Sequence, residues 1–285
     1  MECSFWEFGA IVRQERARHE AGLVSAVEAR RKFDVPVFVA SRASGLPRPD
    51  DPRATLAEAE ASVRAKGWIE RSGRLDDSWY EIVSTLVYGP SLAYLYLNAP
   101  DSAETRALVA ASRGLAFRIV LRGERVRIDE VRPDAAERAL VACLPDVAPA
   151  PGRAVEVPTG VLRAAGIEAE NHRADQGDWI AYELGQADVP ASDAREIGRF
   201  CKLADRTTAH FNVAVRDTRG AGHLAPWAIT VHHSPAGRVA QIPQPPGGER
   251  TVVGPGSAKV IAVALCEYRD RMHLQLGEDR LSSRL

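Results

Sequence analysis

One order of elements occurs twice in this chain and limits its fold more than any other feature: strand, tight turn, strand, then a closing helix. In the second half, Trp227-Ala-Ile-Thr-Val-His232 is β-branched and aromatic, His233 to Arg238 carries the Pro and Gly of a turn, and Val239 to Ile242 resumes an extended pattern. Thr251-Val-Val253 then meets Gly254-Pro-Gly256, which stops a strand. Ser257 is placed to cap a helix whose apolar face is Val260, Ile261, Ala264, Leu265, Tyr268 and Met272. The first half ends the same way. Leu115 to Leu121 and Val126 to Val131 flank the turn Arg122-Gly-Glu124, and Pro133, Asp134 and Glu137 open a helix with Ala136, Leu140, Val141 and Leu144 on one side before Pro145. Identity between the halves is negligible, so the repeat is structural.

The rest of the chain fits this plan. Helices are predicted over Trp6–Arg18, Val24–Phe33, Arg53–Lys66 and Leu75–Val87, with Val35–Val39 extended and Ser44–Pro52 a loop. A four-strand meander follows, over Leu92–Leu97, Thr105–Ala111, Ala116–Leu121 and Arg125–Val131; its short connections favour antiparallel pairing. The Pro/Gly-rich stretch 147–154 is predicted to join subdomains 1–146 and 155–285. In the second subdomain, helices are predicted near Pro158–Ala165, Asp175–Ala187 and Ser192–Ala204, and strands over His210–Arg216 and Ala225–Val231. The pattern is that of an α+β protein with two similar halves.

A chain of 285 residues buries a large core, and a net charge of −1 argues against a nucleic-acid partner, which calls for a basic stripe. Lys occurs only at 32, 66, 202 and 259; the other basic residues are Arg, which with the abundant Ala suggests a high-GC actinobacterial coding bias. Cys3, Cys143, Cys201 and Cys266 lack C-x-x-C spacing and read as free thiols. No segment approaches the roughly 18 to 20 apolar residues that span a bilayer, and Phe5–Val12 lacks the basic leader of a signal peptide. The expectation is a cytoplasmic protein.

Motifs for chemistry are thin. His232 and His233 leave opposite faces of a strand and cannot share one ion. If the strands carrying His210 and His232 pair through the Asp217–Gly222 turn, those three residues form the one candidate for an enzyme or metal site, although polar residues on a solvated sheet face explain them as well. No G-x-S-x-G is present, and in Gly254-Pro-Gly256 the proline removes an amide that an anion would need. Cys201 and His210 straddle a helix-to-strand junction, where a structural thiol is the simpler reading. No catalytic residue, cofactor or metal is assigned. Tyr94 and Tyr96 point away from Ala93, Leu95 and Leu97, which suggests either a covering helical layer or an exposed recognition surface, the latter also open to self-association as a scaffold or homodimer.

Several stretches together resemble the EspG family, the specificity chaperones of type VII (ESX) secretion. They are Ser234-Pro-Ala-Gly-Arg238 on a hairpin, Gly254-Pro-Gly-Ser-Ala258 before the last helix, Ala61-Ser-Val-Arg-Ala-Lys-Gly67-Trp-Ile69, and Ala139-Leu-Val-Ala-Cys-Leu-Pro145 followed by Pro149-Ala-Pro-Gly152. The order and spacing of these stretches carry the resemblance. His233-Ser234 stands where the family usually has an Asp-Thr pair, and the family's amino-terminal strand is hardly visible before Phe5.

The resemblance implies a central antiparallel β-sheet, two quasi-twofold-related subdomains and flanking helical bundles. It further implies a non-enzymatic role, in which a helical PE/PPE-like heterodimer is bound in the cytosol, kept soluble and directed to export. In the family the client's tip docks on the sheet and the C-terminal helical bundle. Carried onto this sequence, that places Tyr94, Tyr96, Asn98, the Pro100–Ala103 loop with Asp101, Trp179 and Phe200 in the candidate contact surface.

Overall fold

The computed structural model describes residues 1–36, 48–100, 102–112, 114–172, 175–202 and 207–282, without the side chains of 278–282. The expected extended stretch Val35–Val39 and loop Ser44–Pro52 fall partly outside these residues. The chain divides into two units, each discontinuous in sequence. The first is Met1–Tyr94, Ala103–Leu140 and Ala214–Leu224; the second is Leu95–Ser102, Val141–Val213 and Ala225–Leu285.

The first unit opens with a strand, β1 (Glu2–Ser4), which is hardly visible in the sequence because three residues are too few to show alternation. Helix α1 (Phe5–Glu20) follows at once because Ser4 and Glu7 form a capping box, each side chain bonding the other's amide. Asp51 caps α2 (Pro52–Ala65), accepting from the amides of Arg53 and Ala54, and Asp76 caps α3 (Asp77–Tyr88), accepting from Trp79. The meander is β2 (Ser91–Asn98), β3 (Thr105–Ser112), β4 (Leu115–Arg122) and β5 (Arg125–Glu130), and a 3₁₀ turn at Pro133–Ala135 leads into α4 (Ala136–Val141). The helix predicted over Val24–Phe33 is instead a series of turns. Leu23 and Val27 stay exposed there, so the charged stretch has no apolar face with which to hold a helix against the core.

Strands in this unit run in the order β1-β5-β4-β3-β2. Its core gathers Phe8 and Ile11 of α1, Val63 of α2, Trp79, Val83 and Leu86 of α3, and Leu108 and Ile119 of the sheet. Arg216 is buried in this unit and ends α3. Its guanidinium donates to the carbonyls of Leu86 (2.9 Å), Gly89 (2.8 Å) and Asp34 (3.0 Å), filling acceptors that a helix C-terminus leaves open.

The second unit repeats the scheme. Strand β6 (Val155–Pro158) precedes α5 (Thr159–Ala169), α6 (Gln176–Gln186) and α7 (Ala191–Cys201). Then come β7 (Thr208–Arg216), β9 (Ile229–Ser234), β10 (Gly237–Pro243), β11 (Arg250–Pro255) and α8 (Ala258–Ser282). A short β8 (Gly222–Leu224) pairs with the end of β7 that belongs to the first unit. The order β7-β9-β10-β11-β6 matches β2-β3-β4-β5-β1 position for position, each unit placing its opening strand beside the last strand of its meander.

Four expectations shift. The helix expected at Pro158–Ala165 is preceded by β6 and runs through Gly166, because Leu162, Ala165 and Ala169 all bury against the core. The strand expected from Ala225 starts at Ile229, since Pro226 has no amide to give the ladder. Val260 lies one position off the buried stripe Ile261, Ala264, Leu265, Tyr268 and Met272 and is 44% exposed. Residues 147–154 lie inside the second unit, where the Arg238 amide donates to Ala148 O (2.7 Å) and the Ala150 amide to Arg238 O (2.9 Å).

Candidate partner-binding site

The register of the second unit explains how its sheet offers a site. Across β7, β9 and β10, Thr208 lies opposite His232 and His232 opposite Val239; one row along, His210, Thr230, Gln241, Val253 and Val155 stand in line. Residues opposite one another share a face. On that face Val155, Val157, Val239 and Val253 are buried with Leu162, Ile180, Leu184, Ile197 and Phe200 of α5–α7. Where the positions turn polar, at Thr208, Thr230, His232, Gln241 and Thr251, the helices no longer fill the space and a cavity of about 440 Å³ opens. Thr159, Leu162 and Arg163 of α5, Gln176 and Ile180 of α6, and Cys201 at the end of α7 form its other wall.

Arg163 is the sole charged residue among the described residues of this lining. His232 is buried, its Nε2 2.8 Å from Phe200 O, so that nitrogen donates; burial holds the ring's pKa below the usual imidazole value and keeps it neutral. Burial likewise pushes the Cys201 thiol up to about 12, so it stays protonated. Thr159 Oγ1 donates to Gly248 O (2.6 Å) and lies 2.7 Å from Thr251 Oγ1. Among its described residues the cavity therefore carries positive charge and hydrogen-bonding groups, with no carboxylate.

The sequence-predicted contact residues separate. Tyr96, 37% exposed, and Asn98 stand on the open side of β2. Tyr94 is half-buried against the core of the first unit, and burial raises its phenol pKa to about 12. Asp101 lies outside the described residues. Trp179 is half-buried on α6, stacked on His172 with ring centroids 3.7 Å apart, and shares its helix with the cavity-lining Gln176 and Ile180. Phe200 is a correction: it is fully buried in the core of the second unit, on the inward face of α7 with Ile197, and has no surface to offer a partner.

The alternative trio resolves differently. His210 Nδ1 lies 3.3 Å from Thr230 Oγ1, and His232 is committed to Phe200 O. Asp217 accepts from the amides of Arg219 (2.8 Å) and Ala221 (3.0 Å) in its own turn and lies 3.3 Å from His223 Nε2. Among the described residues no three of His, Cys, Asp and Glu gather as metal ligands. The hairpin at His233-Ser234 keeps side-chain bonding: Ser234 Oγ donates to Gly237 O (3.0 Å) and accepts from the Ala236 amide (3.2 Å). What sequence reasoning missed is the polar wall of the cavity. Its trace is the pair His210 and His232, read as polar residues on a solvated sheet face; Thr208 and Thr230 share that period-two spacing, but which helices cover them depends on the tertiary fold.

Two topologically equivalent strand–helix–meander–helix modules, one of them with a recess between sheet and helices, define an α+β protein. Within that class, the model of the EspG family matches residues 19–267. The chain belongs to the EspG family. No curated protein matches it. Among solved structures, the type VII secretion system chaperone EspG5 of Mycobacterium tuberculosis, in complex with a PE25–PPE41 dimer, is similar in fold. The TM-score is 0.58 at 15% identity, over 93% of this chain and 94% of that one. No helix among the described residues is long and apolar enough to cross a membrane.

Proposed function

We propose that the protein is a cytosolic, non-enzymatic chaperone of type VII secretion that binds a PE/PPE-like helical heterodimer, keeps it soluble and delivers it for export. The family match over residues 19–267 carries this reading, and the similar EspG5 chain was captured with a PE25–PPE41 dimer. The second unit supplies a suitable surface: a recess of about 440 Å³ between sheet and helices, with Trp179 on one of those helices. A stable complex of this kind buries about 1,200 to 2,000 Å² and requires no bond chemistry. Tyr96 and Asn98, which belong to the same unit, extend the proposed contact surface, since Tyr combines large contact area with a polar tip.

Co-expression with the helical secreted pair encoded beside the gene tests the proposal. The expected result is a soluble ternary complex by size exclusion with light scattering. A chain that elutes alone while the pair aggregates overturns it.

A further inference from the structure

We infer that the recess of the second unit recognises an acidic side chain presented by the client, an inference that rests on the chaperone reading above. Four polar side chains of its lining, Arg163, Gln176, Thr208 and Gln241, make no hydrogen bond or ion pair with any described residue. Arg163 is exposed and the other three are half-buried. An aliphatic tip seated here would strip solvent from all four and return nothing, so binding would weaken. A partner that accepts hydrogen bonds satisfies them instead.

The charge selects the partner's sign. Among the described residues the lining holds one guanidinium and no carboxylate, while His232 and Cys201 are neutral. A client Lys or Arg would face Arg163 with no counter-charge among the described lining residues. An Asp or Glu carboxylate accepts from the guanidinium fork in two parallel bonds and from the amide NH₂ of Gln176 or Gln241 and the Thr208 hydroxyl besides. A cavity of about 440 Å³ admits such a side chain together with part of the turn that bears it.

The test uses the full chain and the secreted pair encoded beside its gene, with affinity measured by calorimetry. Arg163→Glu should weaken binding about tenfold or more, and Arg163→Lys, which keeps the charge but loses the two-bond fork, should weaken it by less. One Asp→Asn or Glu→Gln change in the client's tip should reproduce the loss and add nothing when combined with Arg163→Ala. Circular dichroism checks that these variants fold, as substitution of an exposed side chain predicts. The inference is overturned if Arg163→Glu binds as wild type does, or if Thr208→Val with Gln241→Leu tightens binding. If the wild-type chain holds no pair at all, the chaperone reading fails and takes this inference with it; if both wild type and Arg163→Glu hold it equally, only the acidic-contact inference fails.

Discussion

Lys66 Nζ lies 2.5 Å from Glu7 Oε1, tying the end of α2 to the first turn of α1 through a carboxylate that is itself nearly buried. Ser62 donates to the same oxygen at 2.7 Å, and the Ser4 amide to the other at 2.9 Å. Burial alone would raise the Glu7 pKa, but the bonds from Lys66, Ser4 and Ser62 outweigh it and hold the group at about 2 against an ordinary 4.5. A carboxylate whose folded pKa is depressed stabilises the fold above its unfolded value, and that contribution disappears as pH falls through the folded one. Glu7→Gln should therefore cost on the order of 3 kcal/mol near neutral pH. Its gap to wild type should close between pH 4.5 and 2, as urea unfolding across that range would show.

Glycines bring α6 and α7 into contact. A Cβ on Gly177 would lie 2.4 Å from Gly198 O, and one on Gly198 would lie 2.4 Å from Gly177 O and 2.8 Å from the Ala181 Cβ. Gly185, on the same helix α6, has nothing within 4 Å. Alanine improves helix propensity by about 1 kcal/mol at an open site, but backbone that must move apart costs about 1 to 3 kcal/mol. Gly198→Ala should lower the melting temperature and Gly185→Ala should raise or preserve it. Equal shifts for the two would show that the helices do not need this close approach.

Arg216 gives a third outcome. Its three carbonyl acceptors come from Asp34, Leu86 and Gly89, and a single ammonium cannot reproduce that fork. Arg216→Lys should destabilise by about 3 kcal/mol, the cost of leaving buried groups unpaired. Chemical denaturation should record this loss, while an exposed arginine such as Arg163 should change stability by less than about 0.5 kcal/mol when replaced by Lys.

These residues also show what was legible in the sequence. Ser4 and Glu7, Asp51 with Pro52, and Asp76 sit within three residues of the amides they cap, so local spacing locates the helix starts. The two meanders and the closing helices are readable from alternation and helical periodicity. Strands β1 and β6 are not: three and four residues are too few for alternation to be told from chance, and pairing with β5 and β11 is what makes them strands. The role of Arg216 depends on acceptors as far as 182 residues away. The cavity depends on register, because Thr208, Thr230 and Gln241 line one wall only once three strands are aligned.

Phe200 and Tyr96 separate folding from binding in one experiment. Both were aromatic candidates for the contact surface, yet Phe200 is 0% exposed and Tyr96 is 37% exposed. Phe200 packs in the core of the second unit with the Arg199 guanidinium 4.5 Å over its ring, so truncation leaves a cavity. Phe200→Ala should cost about 3 to 5 kcal/mol of stability. Any loss of client binding it causes should follow from unfolding and recover when the variant is assayed well below its melting temperature. Tyr96→Ala should cost about 1 kcal/mol or less in stability and yet weaken the client complex directly, with the same affinity loss at every temperature where the chain is folded. A Tyr96→Ala chain that binds the pair at full strength would remove the exposed face of β2 from the contact surface and leave the recess of the second unit as its centre.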